Sequence, residues 1–306
     1  MRVIKNFSEI PDFKKKTAVA IGNFDGVHLG HKRILEYLVK TAKKNQLHSV
    51  VLTFSPHPEA FFKKDRFFLI QPLQEKLDMI SSFHIDAAVV IPFDKTFSML
   101  SPTQFIKNIL MDPLNSQFIV VGRNFKFGKN RTGDVSLLQK IAEKQHISLH
   151  SIPQVSLDGE IISSSKIRDL LRQGQIEKAN RFLGHPYKIT GKVVKGFSRG
   201  RHIGFPTANL KPDNDIIPSG VFITESLLGS KKFPSVTNIG HCPTFKKNKI
   251  DVESYIMNLQ TDLYGKKMGI LLLKKIRDEK KFDSPEKLKK QIQKDILITK
   301  QYFKMS

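Results

Sequence analysis

The sequence predicts an α/β plus β chain: a doubly wound parallel sheet in the first part, then an antiparallel β-barrel with a terminal helix. Three observations predict it. Up to residue 145, apolar runs alternate with segments of helical period, the pattern of a parallel sheet covered on both faces. From residue 187 onward, short apolar segments follow one another across Gly, Pro, Asn and Lys clusters with no long helix between them, as in an antiparallel barrel. Between the two, a helical segment at 175–184 ends on Gly184 and is broken by His185-Pro186, which sets domains at 1–185 and 186–306.

In chain order, strands are expected at 17–22, 48–54, 86–91 and 117–122, alternating with helices at 31–45, 72–83, 102–110 and 134–145. In the second part strands are expected at 187–194, 220–227, 233–239, 250–257 and 268–276. The last helix, 284–302, carries Leu288, Ile292, Ile296 and the nearby Ile298 with lysines opposite, an apolar stripe suited to packing on the barrel.

The 306 residues suffice for two cores of ordinary size. No run approaches the roughly 18 apolar residues of a membrane helix, and the N-terminus lacks the apolar core of a signal peptide. A single cysteine, Cys242, excludes an internal disulfide and a cysteine-based zinc site. A cytoplasmic protein without membrane partners is expected. The net charge of +23 raises the question of nucleic acid, but it is dispersed, with +10 in residues 1–185 and +13 in 186–306. Without Trp, and with Phe mostly inside apolar runs, stacking platforms among basic residues are not evident. A basic surface around anionic substrates is the expected reading, with no specific nucleic acid and a monomer or weak homo-oligomer.

Chemistry concentrates in Gly22-Asn23-Phe24-Asp25-Gly26-Val27-His28-Leu29-Gly30-His31, where a strand runs through a glycine-rich loop into a helix. Unpaired N–H groups at a helix start attract phosphate oxygens, and glycines admit a bulky anion. His28 and His31, three apart, can share one face and donate hydrogen bonds to a phosphate gaining charge. The Phe54-Ser55-Pro56-His57-Pro58 turn leaves the predicted sheet at the same edge. Ser163-Ser164-Ser165-Lys166-Ile167-Arg168 opens a further helix, with hydroxyls and Arg168 suited to another phosphate.

A second glycine-rich loop, with Gly196, Gly200 and Gly204, leads into Phe205-Pro206-Thr207-Ala208-Asn209. Alternation puts Thr207 and Asn209 on one side of an extended chain. Two oxygen ligands so placed suit Mg²⁺ on ATP phosphates; a flexible loop before an edge strand fits the same residues. Glu253, in a strand-like run, is either a solvent-facing residue or a base turned into the barrel mouth beside them. The sequence leaves both pairs of readings open.

These motifs together resemble the prokaryotic bifunctional riboflavin kinase/FMN adenylyltransferase family over nearly the whole chain. Further markers are Val121-Gly122-Arg123-Asn124-Phe125-Lys126-Phe127-Gly128, Asp262-Leu263-Tyr264-Gly265 and Ile276-Arg277-Asp278-Glu279-Lys280-Lys281-Phe282. The resemblance implies a nucleotidyltransferase domain followed by a flavokinase barrel, with riboflavin, FMN, FAD and ATP as partners and Mg²⁺ with ATP as co-substrate. It implies that His28 and His31 stabilise the reacting phosphate. Gly22, Asn23, Phe24, Gly30, Ser164 and Arg168 would bind ATP, and Pro56, His57, Pro58, Phe62 and Asn124 would border the flavin. In the barrel it implies ATP on the Gly196, Gly200 and Gly204 loop, Thr207 and Asn209 as metal ligands, Glu253 as base and Arg277 near the flavin. Ser198, Cys242 and Asn258 depart from the family pattern, where a glycine, a larger polar residue and an aspartate are usual.

Overall fold

A computed structural model describes the chain except residues 6–8, 11–14, 64–66, 197–203, 242–249, 260 and 306. The chain divides into two compact units, Met1–Ser164 and Ser165–Ser306. In the first unit the strands are β1 (Arg2–Ile4), β2 (Thr17–Ile21), β3 (His48–Ser55), β4 (Ala87–Pro92), β5 (Ser116–Gly122), the short pair β6 (Lys126–Phe127) and β7 (Gly133–Asp134), β8 (Ser148–Ile152), and the short pair β9 (Ser156–Leu157) and β10 (Glu160–Ile161). The helices are α1 (Leu29–Lys44), α2 (Pro58–Lys63), α3 (Leu73–Ser81), α4 (Lys95–Ser98), α5 (Pro102–Phe105) and α6 (Val135–Lys144). Helix α7 (Ser164–Arg172) starts at the junction.

Six strands form one parallel sheet in the order β1-β4-β3-β2-β5-β8. Its strands are β-branched and apolar because both faces are covered: Val19, Ile21, Val50, Leu52 and Ile119 pack on one side, and Ala18, Ala20, Val51 and Val120 meet Leu35 and Leu38 of α1 on the other. From β2 the chain moves outward through β3 and β4, then returns to the opposite side of β2 with β5 and β8. The β2–β5 boundary is therefore the topological switch, where parallel sheets bind ligands beyond the strand carboxyl ends. The expected 102–110 helix begins as α5, with a Ser101–Gln104 capping box, and continues as a π-helical turn over Ile106–Met111.

The second unit contains α8 (Ile176–Leu183), then strands β11 (Tyr187–Val194), β12 (Ala208–Pro212), β13 (Gly220–Leu228), β14 (Lys231–His241), β15 (Ile250–Ile256) and β16 (Lys267–Arg277), and finally α9 (Pro285–Tyr302). The strands close a barrel in the order β11-β12-β15-β14-β13-β16. Segment 208–212 pairs with β11 and with β15, so it is an interior member of the barrel rather than an edge. Asn180 of α8 ties this helix to the barrel: its Nδ2 donates to the Leu272 carbonyl at 2.8 Å and its Oδ1 accepts from the Tyr187 N–H at 2.7 Å.

The barrel interior is partly polar. Thr224, Ser226, Ser235, Thr237 and Ser254 are fully buried and bond to one another at 2.8–3.1 Å, so each hydroxyl is satisfied without water. On the outer face Val221, Val236 and Met257 pack with Tyr255, Ile276 and Ile296 of α9. Of the stripe read on α9, Leu288, Ile292 and Ile296 are half-buried, with Ile296 packed on the barrel and Asp295 and Thr299 buried beside it; only the nearby Ile298 is exposed. Asp295 pairs there with Arg277 of β16.

Candidate active sites, one in each compact unit

The Gly22–Gly30 loop leaves β2 at the switch point and delivers the chain to α1. This helix starts at Leu29, two residues before the sequence-based start, and His28 is its N-cap, in extended conformation. The Nδ1 of His28 accepts the His31 backbone N–H at 3.3 Å. An accepting Nδ1 leaves the ring proton of a neutral imidazole on Nε2, which fixes that atom as the donor. The two imidazoles stack with centroids 3.6 Å apart and planes at 17°. A Cβ on Gly30 would lie 3.1 Å from the His28 ring, and one on Gly22 would lie 3.1 Å from the Phe24 ring. These two glycines thus make room for the protein's own rings.

Phe24, fully buried, meets His31 edge-on at 5.3 Å. Burial, and then the nearby charges of His28, Lys76 and His57, hold His31 well below the ordinary histidine value, so it is neutral at pH 7. Its Nδ1 is buried without a hydrogen-bond partner among the described residues.

The loop is held from below. Asp25, itself buried, accepts the Ile70 N–H at 3.0 Å, and its carbonyl accepts the Ser164 hydroxyl at 2.9 Å. After β3, Pro56 is exposed and joined to Ser55 by a cis peptide, while His57 is buried, stacks on Phe67 at 4.5 Å and accepts the Glu59 N–H at 3.1 Å. Pro58 opens α2, which carries the exposed Phe62 beside Phe61 and Phe93. Asn124 is exposed just beyond β5. The loops after β2 and β3 leave one edge of the parallel sheet, as read from the sequence, and the loop after β5 leaves the same edge. Arg168 is buried on α7.

In the barrel the register settles which way Glu253 faces. It lies directly opposite Asn209 of β12 on one side and Asn238 of β14 on the other, and opposed residues of an antiparallel pair share a face. The intervening Val252, Ser254 and Ile256 are the buried ones. Glu253 therefore stands on the outer face with Asn209, not in the barrel mouth; strand pairing makes the sidedness, which one strand's sequence does not contain. The row continues from Asn238 to Val221 of β13 and then to Arg277 of β16. Arg277 is committed: its Nε and NH2 donate to the Asp295 carboxylate at 2.8–3.2 Å and its NH1 to the Asp278 carbonyl at 3.0 Å.

Thr207 precedes β12, and the backbone at Gly196 lies so close to the Asn209 amide that a Cβ there has no space. Gly204 has φ +89°. Gly200, Ser198 and Cys242 lie outside the described residues. Asn258 forms the turn after β15 with φ +56°, a conformation that asparagine tolerates better than most residues. Among the described residues no group of three His, Cys, Asp or Glu could hold a metal. The donors at hand are the hydroxyl of Thr207, just before β12, and the amide oxygen of Asn209, with Glu253 opposite Asn209: hard oxygens, few in number, as Mg²⁺ accepts when water and phosphate complete its shell.

Sequence reasoning missed Lys76, Thr53, Asn238 and Asp295. Asn238 is a polar residue inside the strand-like run 233–239, a faint signal; the others show their role only through contacts distant in sequence.

Residues 10–166 match the family model for FAD synthetase and residues 183–303 that for riboflavin kinase. A bifunctional riboflavin kinase/FMN adenylyltransferase of Buchnera aphidicola subsp. Schizaphis graminum is 39% identical over 100% of both chains. Its counterpart in Escherichia coli K12 is 37% identical over 99% of this chain and 97% of that one, and that of Bacillus subtilis 35% identical over 96% and 95%. A crystal structure from Streptococcus pneumoniae, described as a macrolide-efflux protein, superposes with a TM-score of 0.89 at 27% identity, covering 98% of this chain and 99% of that one. Among the described residues no helix is long and apolar enough to cross a membrane.

Proposed function

The chain belongs to the bifunctional riboflavin kinase/FMN adenylyltransferase family, and on that premise we propose how its two sites divide the work. The protein phosphorylates riboflavin to FMN with ATP and adenylylates FMN with a second ATP to give FAD and pyrophosphate. The observation that carries this reading is that each compact unit matches one of the two family models.

In adenylyl transfer, an oxygen of the FMN phosphate bonds to the α-phosphorus of ATP as the bond to the β-phosphate oxygen breaks. No covalent intermediate on the protein is needed; positioning and charge stabilisation suffice. His28 offers an Nε2–H donor to the reacting phosphate, and neutral His31, stacked against it, offers a second ring whose Nδ1 is not engaged. Gly22, Asn23, Phe24 and Gly30 shape the loop that receives ATP, while Ser164 and Arg168 are assigned its outer phosphates by family resemblance. The edge formed by Pro56, His57, Pro58, Phe62 and Asn124 receives the flavin, with exposed Phe62 offering a ring for stacking.

In the kinase, the ribityl 5′-oxygen bonds to the γ-phosphorus as ADP leaves, and Glu253 takes the hydroxyl proton. Thr207 and Asn209 would hold Mg²⁺, which supplies charge neutralisation on the ATP phosphates when bound. Support comes from the register that puts Asn209 and Glu253 side by side. Arg277 serves the flavin end by holding α9 through Asp295. Residues 1–185 and 186–306 are assigned the two activities. A cytoplasmic location, a monomer or weak homo-oligomer, and a basic surface that serves anionic substrates instead of nucleic acid complete the reading. Incubation with riboflavin, ATP and Mg²⁺ should yield FMN, then FAD; a folded sample that makes neither overturns it. Tight RNA binding with a steep salt slope would contradict the assignment of the charge.

A further inference from the structure

Lys76, on α3, is a buried cation that the reaction as described does not use. Its ammonium donates to the Asn23 carbonyl at 3.1 Å, the Thr53 hydroxyl at 3.0 Å and the Phe54 carbonyl at 3.5 Å. Thr53 in turn donates to the same Asn23 carbonyl at 3.2 Å. Three donors thus meet three neutral oxygens, all at the carboxyl ends of β2 and β3. The peptide they grip precedes Phe24, whose φ is +51°; Val27, three residues on, has φ +37°. Bulky residues avoid this region, and such conformations persist only where their surroundings impose them. Strain held by a buried charge, one loop before two stacked imidazoles, is costly to maintain for shape alone.

We propose that Lys76 is a positioning residue for adenylyl transfer: it pins the strained Asn23–Phe24 turn that presents His28 and His31, and it adds a fixed positive charge to their surroundings. The inference rests on the assignment of adenylyl transfer to this loop. A methionine would fill the same space without desolvating a charge, so packing does not explain the lysine. Its charge reaches His31, which it helps hold in the neutral form, and it favours an anion at the loop. Asp25 on the loop is its negative neighbour, His28, His31 and His57 also face this region, and the buried Glu75 precedes it on α3. Burial lowers the Lys76 ammonium to about 8, with Asp25 opposing the shift, so the charge is in place at neutral pH.

The test compares Lys76→Met and Lys76→Gln with the unaltered chain, measuring FAD formation from FMN and ATP across pH and FMN formation from riboflavin. Both variants are expected to lose 10-fold or more in kcat/KM for adenylyl transfer, to shift its acid limb to higher pH because a cation near His31 is gone, and to keep riboflavin phosphorylation. Lys76→Gln retains a hydrogen-bond donor and guards against a Met variant that fails to fold. The unaltered chain gives an arm that needs no variant: its adenylyl transfer should decline through an alkaline limb near pH 8. Unchanged kcat/KM and an unmoved acid limb, or the absence of that alkaline limb, would overturn the proposal. An unaltered chain that makes no FAD at any pH would instead overturn the functional reading beneath it.

Discussion

Replacing Asp295 by alanine should cost the barrel unit about 3 kcal/mol. Asp295 is 2% exposed and Arg277 15%, so neither charge is fully hydrated, and the guanidinium engages the carboxylate through both Nε and NH2. Removing one partner of a buried pair costs about 3–5 kcal/mol because the other is left uncompensated. Two features set the estimate at the lower end: Arg277 keeps its bond to the Asp278 carbonyl, and its residual exposure admits water. The bond from Gln291 to Asp295, 2.9 Å, is lost as well. At about 3 °C per kcal/mol for a unit of this size, the midpoint should fall by roughly 10 °C. Urea denaturation of the four proteins of an Arg277→Met, Asp295→Leu cycle is the assay. The singles should be strongly destabilised and the double largely restored, since an apolar pair of similar volume replaces a buried ion pair at little cost. Singles within 0.5 kcal/mol of the parent, or purely additive effects, would refute the reasoning.

Other predictions follow from the same geometry. Asn238→Ala, which removes the side chain opposite Glu253, should lower kcat for riboflavin phosphorylation by about 10-fold (about 1.4 kcal/mol) while FAD formation from FMN stays unchanged; equal loss of both activities would contradict it. His31 is held below its unfolded value of 6.5, so as pH falls through 6.5 the unfolded chain binds the proton first. Its contribution to stability is therefore complete above pH 6.5 and is lost on acidification, and the urea midpoint of His31→Gln should depend less on pH between 5 and 7 than that of the parent. For Lys76 the folded value of about 8 lies below the 10.5 of an unfolded lysine. Both states are charged below pH 8, the penalty of burial is then full, and between pH 8 and 10.5 stability should rise by about 3 kcal/mol; Lys76→Met should remove that rise.

Much of this molecule was legible in its sequence because local patterns and long-range structure agree. The apolar runs at 17–22, 48–54, 86–91 and 117–122 became β2 to β5 with shifts of a residue or so, since strands buried on both faces announce themselves by composition. β1 and β8 were not seen: Arg2-Val3-Ile4 is too short for a period, and Ser148-Leu149-His150-Ser151-Ile152 is a half-polar edge strand. The histidine loop could be read because strand, glycines and helix are contiguous. Lys76 could not, because its partners lie 22 to 53 residues away. For Glu253, alternation along one strand gives two faces, and only pairing with Asn209 and Asn238 says which is outside.

The central claim is that one chain carries two independent ATP-using sites. A time course resolving riboflavin, FMN and FAD tests it with His31→Ala and Glu253→Gln. His31→Ala should accumulate FMN and make no FAD, and Glu253→Gln should leave riboflavin untouched yet convert supplied FMN to FAD. No FMN from riboflavin in folded His31→Ala, or no FAD from supplied FMN in folded Glu253→Gln, would contradict separate sites.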